Sequence, residues 1–573
     1  MIILGLFSPG PNPSAAILIN GKIDSWTEEE RFDRIKTSPN SFPSRSIKWC
    51  LKNSNLKLSD IDKIAYGWDS PHYVKETKDF LKSQKKDTGD QSKYNELQDD
   101  LLTNLYHPER IKHQIKMCFS SIDYKVNVPE IVFFKHHDCH IASAFFCSGF
   151  EESNVLSIDG SGEEVTTLLC HASKGGIKTI KSFKLPNTLG GFYATFTEFL
   201  GFRAYLDEGK VMGLASYGEF SQDLQDKLDK FIKYDKTTGN FEIDPYMRYV
   251  GDHNYGSRFT DLFVEVFGLP RRNESPLEKK YADLAFAVQY RLEKIVISMA
   301  HWLFKKTGSN NFCLAGGVAM NCVMNGSLAR ESFVNNIFVQ PASSDNGVSL
   351  GAAQLLSLKE GFNPNQKMEH AYWGPEFSEK EIILALKESK LNYRKSKNIC
   401  FEVAEKISQG KIIGWFQGRM EIGARALGNR SILASPLISD MKTKINLEVK
   451  HRENWRPFCP SMKEEVYKKY IDSSIDSPFM IMAFPVNKKV SSEIPAVVHV
   501  DGTARPQQVS KNYNFKFWSL LNEFEKITGH AILINTSFNI QGEPVVCSPK
   551  DALRTFGGTG LDILVLGDYI LEK

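Results

Sequence analysis

Apolar runs of strand length, broken by turns of small residues, open the chain. Residues 2–6 and 15–18 are such runs, joined by Ser8-Pro-Gly-Pro-Asn-Pro13. Asn20-Gly21 is the dipeptide that two-residue hairpins favour, and it leads into a further strand at 22–25. This pattern predicts a β-meander. A second opening has the same layout: Val155-Leu-Ser-Ile-Asp-Gly-Ser-Gly162, then residues 165–171, then 177–183 after a Lys-Gly-Gly turn. Between the two openings, residues 72–125 are rich in Lys, Glu, Asp and Gln with spaced Leu, Tyr and Phe, which predicts exposed helices inserted across the domain.

Two openings of one layout point by analogy to a duplicated ribonuclease-H-like fold, the actin, sugar-kinase and Hsp70 (ASKHA-type) arrangement, with ATP between the halves. An apolar segment at 348–358 then gives way to Gly, Pro and Asn in residues 359–367, where helical continuity breaks. Residues 1–360 and 370–573 are therefore read as two domains. In the second, Ser378 with Glu381 forms a capping-box signature, and residues 412–416, 531–535 and 563–566 read as buried strands. The expected fold class is α/β in both.

Size and charge narrow the class. With 573 residues, 42% hydrophobic and 24% charged, the chain is too long for one core and too apolar to be disordered. Lys plus Arg number 71 against 68 Asp plus Glu, so no overall positive field favours a nucleic-acid backbone or an anionic membrane. Ten cysteines without a CxxC pair argue against a zinc ribbon, a redox dithiol or a disulfide scaffold. The first apolar run breaks at Ser8-Pro9-Gly10 and lacks a basic leader, so a cytoplasmic enzyme is expected.

Several clusters can carry chemistry. His136 and His140 stand four apart at an expected helix start and share one face, with Asp159 and Asp345 as oxygen donors at strand ends. That set suits iron(II), manganese or zinc, although an isolated HxxxH also fits a capped helix start with no metal. Gly316-Gly317, ahead of Asn321, and Asp159-Gly160 are small-residue turns of the kind that approach phosphate. Lys210 in Asp207-Glu-Gly-Lys210 can pair with phosphate or stand on an exposed turn. In the second domain Arg419, Arg425, Arg430, Lys450, Arg452, Arg456 and Arg505 lie in turn-rich segments, where converging guanidinium groups would bind a small doubly charged anion. Asn535-Thr-Ser537 after a buried strand adds donors where α/β ligand sites open.

Together, Glu28-Glu-Glu-Arg-Phe32 with Lys36, His136-x-x-x-His140, Ile158-Asp-Gly-Ser-Gly162, Gly209-Lys-Val-Met-Gly-Leu-Ala-Ser216, Ala315-Gly-Gly-Val-Ala-Met-Asn321, Gly423-Ala-Arg-Ala-Leu-Gly-Asn-Arg-Ser431, Arg456-Pro-Phe458 and Asn535-Thr-Ser-Phe-Asn539 run in the order seen in the NodU/CmcH-type O-carbamoyltransferases. The chain resembles that family along nearly its whole length. The resemblance implies an N-terminal domain similar to tRNA threonylcarbamoyl-transfer ATPases and a YrdC-like C-terminal domain. It implies that carbamoyl phosphate and ATP, with Mg2+, give carbamoyl-adenylate at Arg425, Lys450, Arg456, Arg505, Asn535 and Ser537. Transfer to an acceptor hydroxyl would follow at a metal, usually iron(II), held by His136, His140, Asp159 and Asp345. Lys36 would join those catalytic residues in steadying negative charge. Lys36, Asp159, Gly160, Lys210, Gly316, Gly317 and Asn321 would contact the nucleotide.

The acceptor implied is a hydroxyl of a small natural product such as an antibiotic or toxin, with no nucleic acid or membrane partner and with room for a homodimer. Where the family has His-Asp before Ser-Ala-Ala, this chain has Pro11-Asn12-Pro13. Asn12 can bind an acceptor but is not a base at neutral pH, so His137 or another group substitutes, or the acceptor differs from an aminoglycoside or cephem. The rival readings are a threonylcarbamoyl-type enzyme acting on tRNA, which would want a basic face, and an actin-like ATPase or regulator that transfers nothing.

Overall fold

The structure, a computed structural model, describes residues 1–84, 103–248, 257–273 and 275–573. The chain forms two compact units. One comprises Met1–Trp26 and Pro39–Lys367, the other Thr27–Ser38 and Met368–Lys573.

The first unit carries two five-stranded sheets and a small hairpin. The first sheet contains β1 (Ile2–Phe7), β2 (Ser14–Ile19), β3 (Lys22–Glu28), β4 (Lys63–Tyr66) and β5 (Glu130–Phe133) in the order β3-β2-β1-β4-β5. β1 is antiparallel to β2 and parallel to β4, which is parallel to β5. Asn20 and Gly21 both take positive φ, 50° and 81°, at the turn into β3. The second sheet contains β6 (Glu152–Gly162), β7 (Val165–Ser173) and β8 (Gly176–Lys184). After the hairpin β9 (Ile232–Asp235) and β10 (Asn240–Ile243), β11 (Asn311–Ala315) and β12 (Asn336–Val339) complete it. Its order, β12-β11-β6-β7-β8, repeats the first: antiparallel neighbours on one side of β6, parallel ones on the other. The duplicated ribonuclease-H-like arrangement is thus present in the strand order itself.

The repeat extends to a helix after each fifth strand. Helix His136–Ser148 comes after β5 and helix Val348–Lys359 after β12. The former is buried on nearly every side, as its apolar Ile141-Ala-Ser-Ala-Phe-Phe146 stretch requires. The helices meet backbone to backbone: a Cβ on Gly351 would stand 1.9 Å from the Cys139 carbonyl oxygen, so only glycine fits. Both helices begin at strand C-termini, which brings their first residues together at one edge.

The second unit is built on one mixed sheet of β13 (Arg394–Lys395), β14 (Ile413–Phe416), β15 (Arg430–Ala434), β16 (Cys459–Lys463), β19 (Gln507–Val509), β20 (Ile532–Ser537), β21 (Ile563–Leu566) and β22 (Tyr569–Glu572), with β17 (Phe484–Pro485) and β18 (Thr503–Ala504) as a separate pair. The order is β13-β22-β21-β14-β15-β20-β16-β19. Helices Ile399–Ser408 and Phe515–Thr528 cover one face through Val403, Ile407, Phe517, Leu521 and Phe524 against Trp415, Leu433 and Val565. Ser378 caps helix Glu379–Ser389, and the Glu381 carboxylate accepts from the Ser378 N–H at 2.7 Å, as the capping-box pattern predicts.

Two expectations need correction. Thr27–Ser38, read from its place in the chain as part of the first domain, packs with the second unit. Its buried charges explain why. Arg31 pairs with Glu28 and Glu30, and the pair closes on the loop after β14: Arg31 donates to the Gly423 carbonyl at 2.7 Å while the Gly423 N–H donates to Glu28 at 3.1 Å. Arg34 donates to the carbonyls of Val545 and Pro544 at 2.6 and 2.8 Å. The inserted stretch 72–125 is also not simply solvated. Residues 85–102 lie outside the described residues, but helix Pro108–Ile122 buries Ile111, Ile115, Cys118 and Phe119, and Tyr106 stacks on Trp68 at 4.2 Å.

Candidate functional site

His136 is the first residue of its helix and His140 lies one turn on, so the two imidazoles project from one face. Asp159 comes from β6 and Asp345 from the turn before helix Val348–Lys359, the position equivalent by fold repeat to that of His136. One ligand atom from each of the four falls within 4.8 Å of all the others. The two Nε2 atoms are 3.0 Å apart, His140 Nε2 is 3.0 Å from Asp159 Oδ2, and His136 Nε2 is 3.5 Å from Asp345 Oδ1. Ligand atoms bound at about 2.1 Å to one ion at right angles would be about 3.0 Å apart, so the spacing fits a single cation. The chemistry of the set agrees: imidazole nitrogens and carboxylate oxygens turned toward one another leave lone pairs and negative charge that a cation satisfies.

The electrostatics report the same concentration of charge. Burial works against protonating His136, yet Asp159 and Asp345 hold it charged up to about 10. Burial likewise opposes ionisation of Asp159, but hydrogen bonds and charge from His136 and His140 keep it well below the usual carboxylate range. Glu163 accepts from the backbone N–H groups of Asp69 and His136 at the helix start, and burial lifts it to about 7. Phe7 and Trp68 set their rings 5.4 and 5.3 Å from that of His136.

The glycine turns abut this cluster. Asp159 Oδ2 accepts from Gly317 N–H at 3.0 Å, and Oδ1 from Gly160 N–H at 2.7 Å. Asn321 caps helix Cys322–Ala329, accepting from Met324 N–H, and exchanges two hydrogen bonds with Gln289. Lys210 is buried, 3.6 Å from Asp207. Asn12, at φ 57°, donates to Ser344 Oγ at 3.3 Å, beside Asp345. His137 is fully committed: Nδ1 meets Ser157 Oγ at 2.7 Å and Nε2 the Val165 carbonyl at 3.0 Å. Burial, reinforced by the charges of His136 and His140, pushes it down to about 3.

The second unit gathers a different set. Lys450 is buried with its ammonium on Ser537 and Asn539, including Asn539 Oδ1 at 2.9 Å. Burial pushes it well below the usual lysine range, reinforced by Arg452, Arg456 and Lys36. The segment anchored by Glu28 and Arg31 carries Lys36 into the second unit, where its charge bears on Lys450. Arg505 Nε donates to Cys459 Sγ at 3.1 Å, and Asn535, opposite Cys459 across the β16–β20 ladder, donates to Ser461 Oγ and Gln507 Oε1 at 2.8 and 3.0 Å.

Arg425, Arg452 and Arg505 all bear on Cys459, and Arg456 on Arg452. The anion-binding residues named from the sequence thus converge, joined by Arg452, His499, Gln507 and Cys459. Nothing in local sequence marks His499, Gln507 and Cys459; the grouping of the last two comes from strand pairing. Arg430 and Arg419 are not free for a ligand: the first donates to the carbonyls of Gly418, Asn429 and Pro375, the second to that of Trp373.

The fold is that of a two-unit α/β protein. Family models for the carbamoyltransferase N-terminus and C-terminus match residues 12–354 and 404–573, and the chain belongs to the carbamoyltransferase family. It is 35% identical over 610 residues to uncharacterized protein sll1178 of Synechocystis sp., covering 100% of this chain and 96% of that one. It is 38% identical over 571 residues to nodulation protein NolNO of Sinorhizobium fredii, covering 98% and 78%. It is 30% identical over 579 residues to uncharacterized protein MJ1051 of Methanocaldococcus jannaschii, covering both in full. Among the described residues no helix is long and apolar enough to cross a membrane.

Proposed function

We propose that this carbamoyltransferase is ATP-dependent and works at two centres. The second unit forms carbamoyl-adenylate from carbamoyl phosphate and ATP, and the first transfers the carbamoyl group to a hydroxyl of a small natural product. The observation that carries the reading is the gathering of Arg425, Arg452, Arg456 and Arg505 at one end of the second unit's sheet, beside Asn535. Such a cluster matches anionic phosphate substrates better than any neutral one.

The steps balance. Water cleaves carbamoyl phosphate to carbamate and phosphate. A carbamate oxygen then attacks the α-phosphorus of ATP, and pyrophosphate leaves. Finally the acceptor oxygen bonds to the carbonyl carbon, the bond from that carbon to the AMP oxygen breaks, and the hydroxyl proton is released. In the second unit the arginines hold the substrate phosphates and neutralise the charge that develops on pyrophosphate.

His136, His140, Asp159 and Asp345 would hold the metal, for which iron(II), manganese and zinc all suit the donors. When bound it supplies Lewis-acid polarisation of a carbonyl or phosphoryl oxygen. The loop bearing Asn12 orients the acceptor beside Asp345, and the Gly316–Gly317 turn admits the nucleotide. Pyrophosphate release from the purified protein, with ATP and carbamoyl phosphate supplied alone and together, tests the first half without an acceptor. Release that needs both substrates is expected; release with ATP alone, or none, would overturn the adenylation reading.

A further inference from the structure

The loop between β14 and β15 folds around one carboxylate. Glu421, 3% exposed, accepts through Oε1 from the N–H groups of Leu427, Asn429 and Arg430 at 2.7, 2.7 and 3.2 Å. Backbone donors that converge on one point make an anion-binding nest, and here the chain fills it with its own carboxylate. Oε2 of the same group is buried with no partner among the described residues. The rest of the turn is held as well: Trp415 Nε1 donates to the Gly428 carbonyl at 2.9 Å, and the Gly428 N–H donates to Ser431 Oγ at 3.0 Å.

This loop carries Arg425, and the chain just beyond that residue is fixed. The Ala426–Leu427 peptide gives its N–H to Glu421 and accepts Asn535 Nδ2 on its carbonyl at 3.2 Å. The next carbonyl, that of Leu427, accepts from Gln507 Nε2 at 2.8 Å and from the Tyr372 hydroxyl at 2.9 Å. Gln507 Oε1 accepts in turn from Asn535 at 3.0 Å and from Ser461 at 2.6 Å. Glu421 and Asn535 therefore brace one peptide from opposite sides, one residue beyond Arg425, and so fix the direction in which the chain presents that side chain.

We infer that Glu421 is a positioning residue for the second unit's anion site: acting on the substrate only through Arg425, it holds the guanidinium where a phosphate will lie. A guanidinium placed in advance gives up less freedom on binding than a mobile one, so affinity gains from the brace. The sign of the effect sets this role apart. Glu421 carries the same charge as the ligand, so Coulomb repulsion alone makes its removal strengthen phosphate binding, whereas a positioning role makes removal weaken it. The inference rests on the reading of Arg425 as an anion-site residue.

The test uses the full-length protein as wild type, Glu421→Ala, Glu421→Gln, Arg425→Ala and the two double variants, with inorganic phosphate as the probe. Calorimetry gives Kd and thermal unfolding gives Tm. Glu421→Ala should weaken phosphate binding by about tenfold or more, since displacing a positioned group by about 1 Å can cost that much. Arg425→Ala should weaken it at least as far, and Glu421→Ala added to Arg425→Ala should cost less than about a further twofold. Glutamine keeps an accepting oxygen but loses the charge that strengthens the three hydrogen bonds, so Glu421→Gln should recover most of the Tm while its Kd stays between those of wild type and Glu421→Ala. Tighter or unchanged binding in both Glu421 variants, or losses that multiply in the double variant, would overturn the inference and leave the anion site standing. Wild-type-like binding by Arg425→Ala, or no binding by wild type, would remove the anion-site reading and this role with it. If Glu421→Ala folds poorly, Glu421→Gln alone and combined with Arg425→Ala completes the same cycle.

Discussion

Asp159 ties His140 to the glycine turn: one carboxylate oxygen lies 3.0 Å from His140 Nε2 and accepts from the Gly317 N–H at 3.0 Å. The shape of the turn, and any metal the four donors hold, would therefore depend on one negative charge. Asp159→Asn keeps the size and an acceptor oxygen but loses that charge. Metal retained after loading with iron(II), manganese or zinc and dialysis should fall by more than about tenfold, since even outer partners of ligands cost that much. Elemental analysis of both proteins reads it, and equal metal in the two would mean the cluster is not a metal centre.

Arg31 holds the Thr27–Ser38 segment on the second unit through groups that water does not reach. With Arg31, Glu28 and Glu30 all about 5% exposed or less, removing the guanidinium takes the closest cation from two buried carboxylates. Arg31→Ala should destabilise the second unit by about 3–5 kcal/mol, against a much smaller loss for an exposed pair such as Lys174–Glu151. Denaturant unfolding of both variants makes the comparison, and similar small losses would contradict the clamp.

That clamp also shows where sequence reading stops. The strand runs at 2–6 and 155–162, the Asn20-Gly21 turn and the Ser378–Glu381 cap are local, because period and turn chemistry act within a few residues. His136, His140, Asp159 and Asp345 were legible as donors because each sits at a strand end or helix start, where α/β sites open. The Glu28-Glu-Glu-Arg-Phe32 run is legible only as a motif, since nothing local reveals that Gly423, almost 400 residues on, completes its pairing. Cys459 escapes for the same reason: it reads as a buried apolar position until strand pairing and three loops bring arginines to it.

Glu208 yields a pH signature outside both centres. Burial, with Asp207 adding to it and Arg258 opposing, raises its carboxyl from 4.5 to about 7. A carboxyl raised in the folded state binds its proton there more tightly than in the unfolded chain. Its contribution is complete below about pH 4.5 and is lost as pH rises through about 7. Glu208→Gln, neutral throughout, should match wild type near pH 4.5 and exceed it above pH 7. Thermal unfolding across that range measures the difference, and parallel curves would mean Glu208 keeps an ordinary pKa in the fold.

Two glycines of the family motifs should respond in opposite ways to alanine. Gly316 has φ 88°, and a Cβ there would stand 2.3 Å from the Ile158 carbonyl oxygen, within the strand that bears Asp159. Its N–H also donates to Ser343 at 2.7 Å, next to the turn bearing Asp345. Alanine would incur about 1–3 kcal/mol for the backbone conformation alone. Relieving the clash would move β6 and the turn apart, so metal retention should fall along with stability. Gly209 lies within helix Glu208–Ala215, and a methyl added there would meet nothing within 4 Å, so Gly209→Ala should stabilise by up to about 1 kcal/mol through helix propensity. Melting temperature and metal content of the two variants give the readout. Loss of stability in Gly316→Ala with full metal retention would show that the turn supports the fold without setting the position of Asp159.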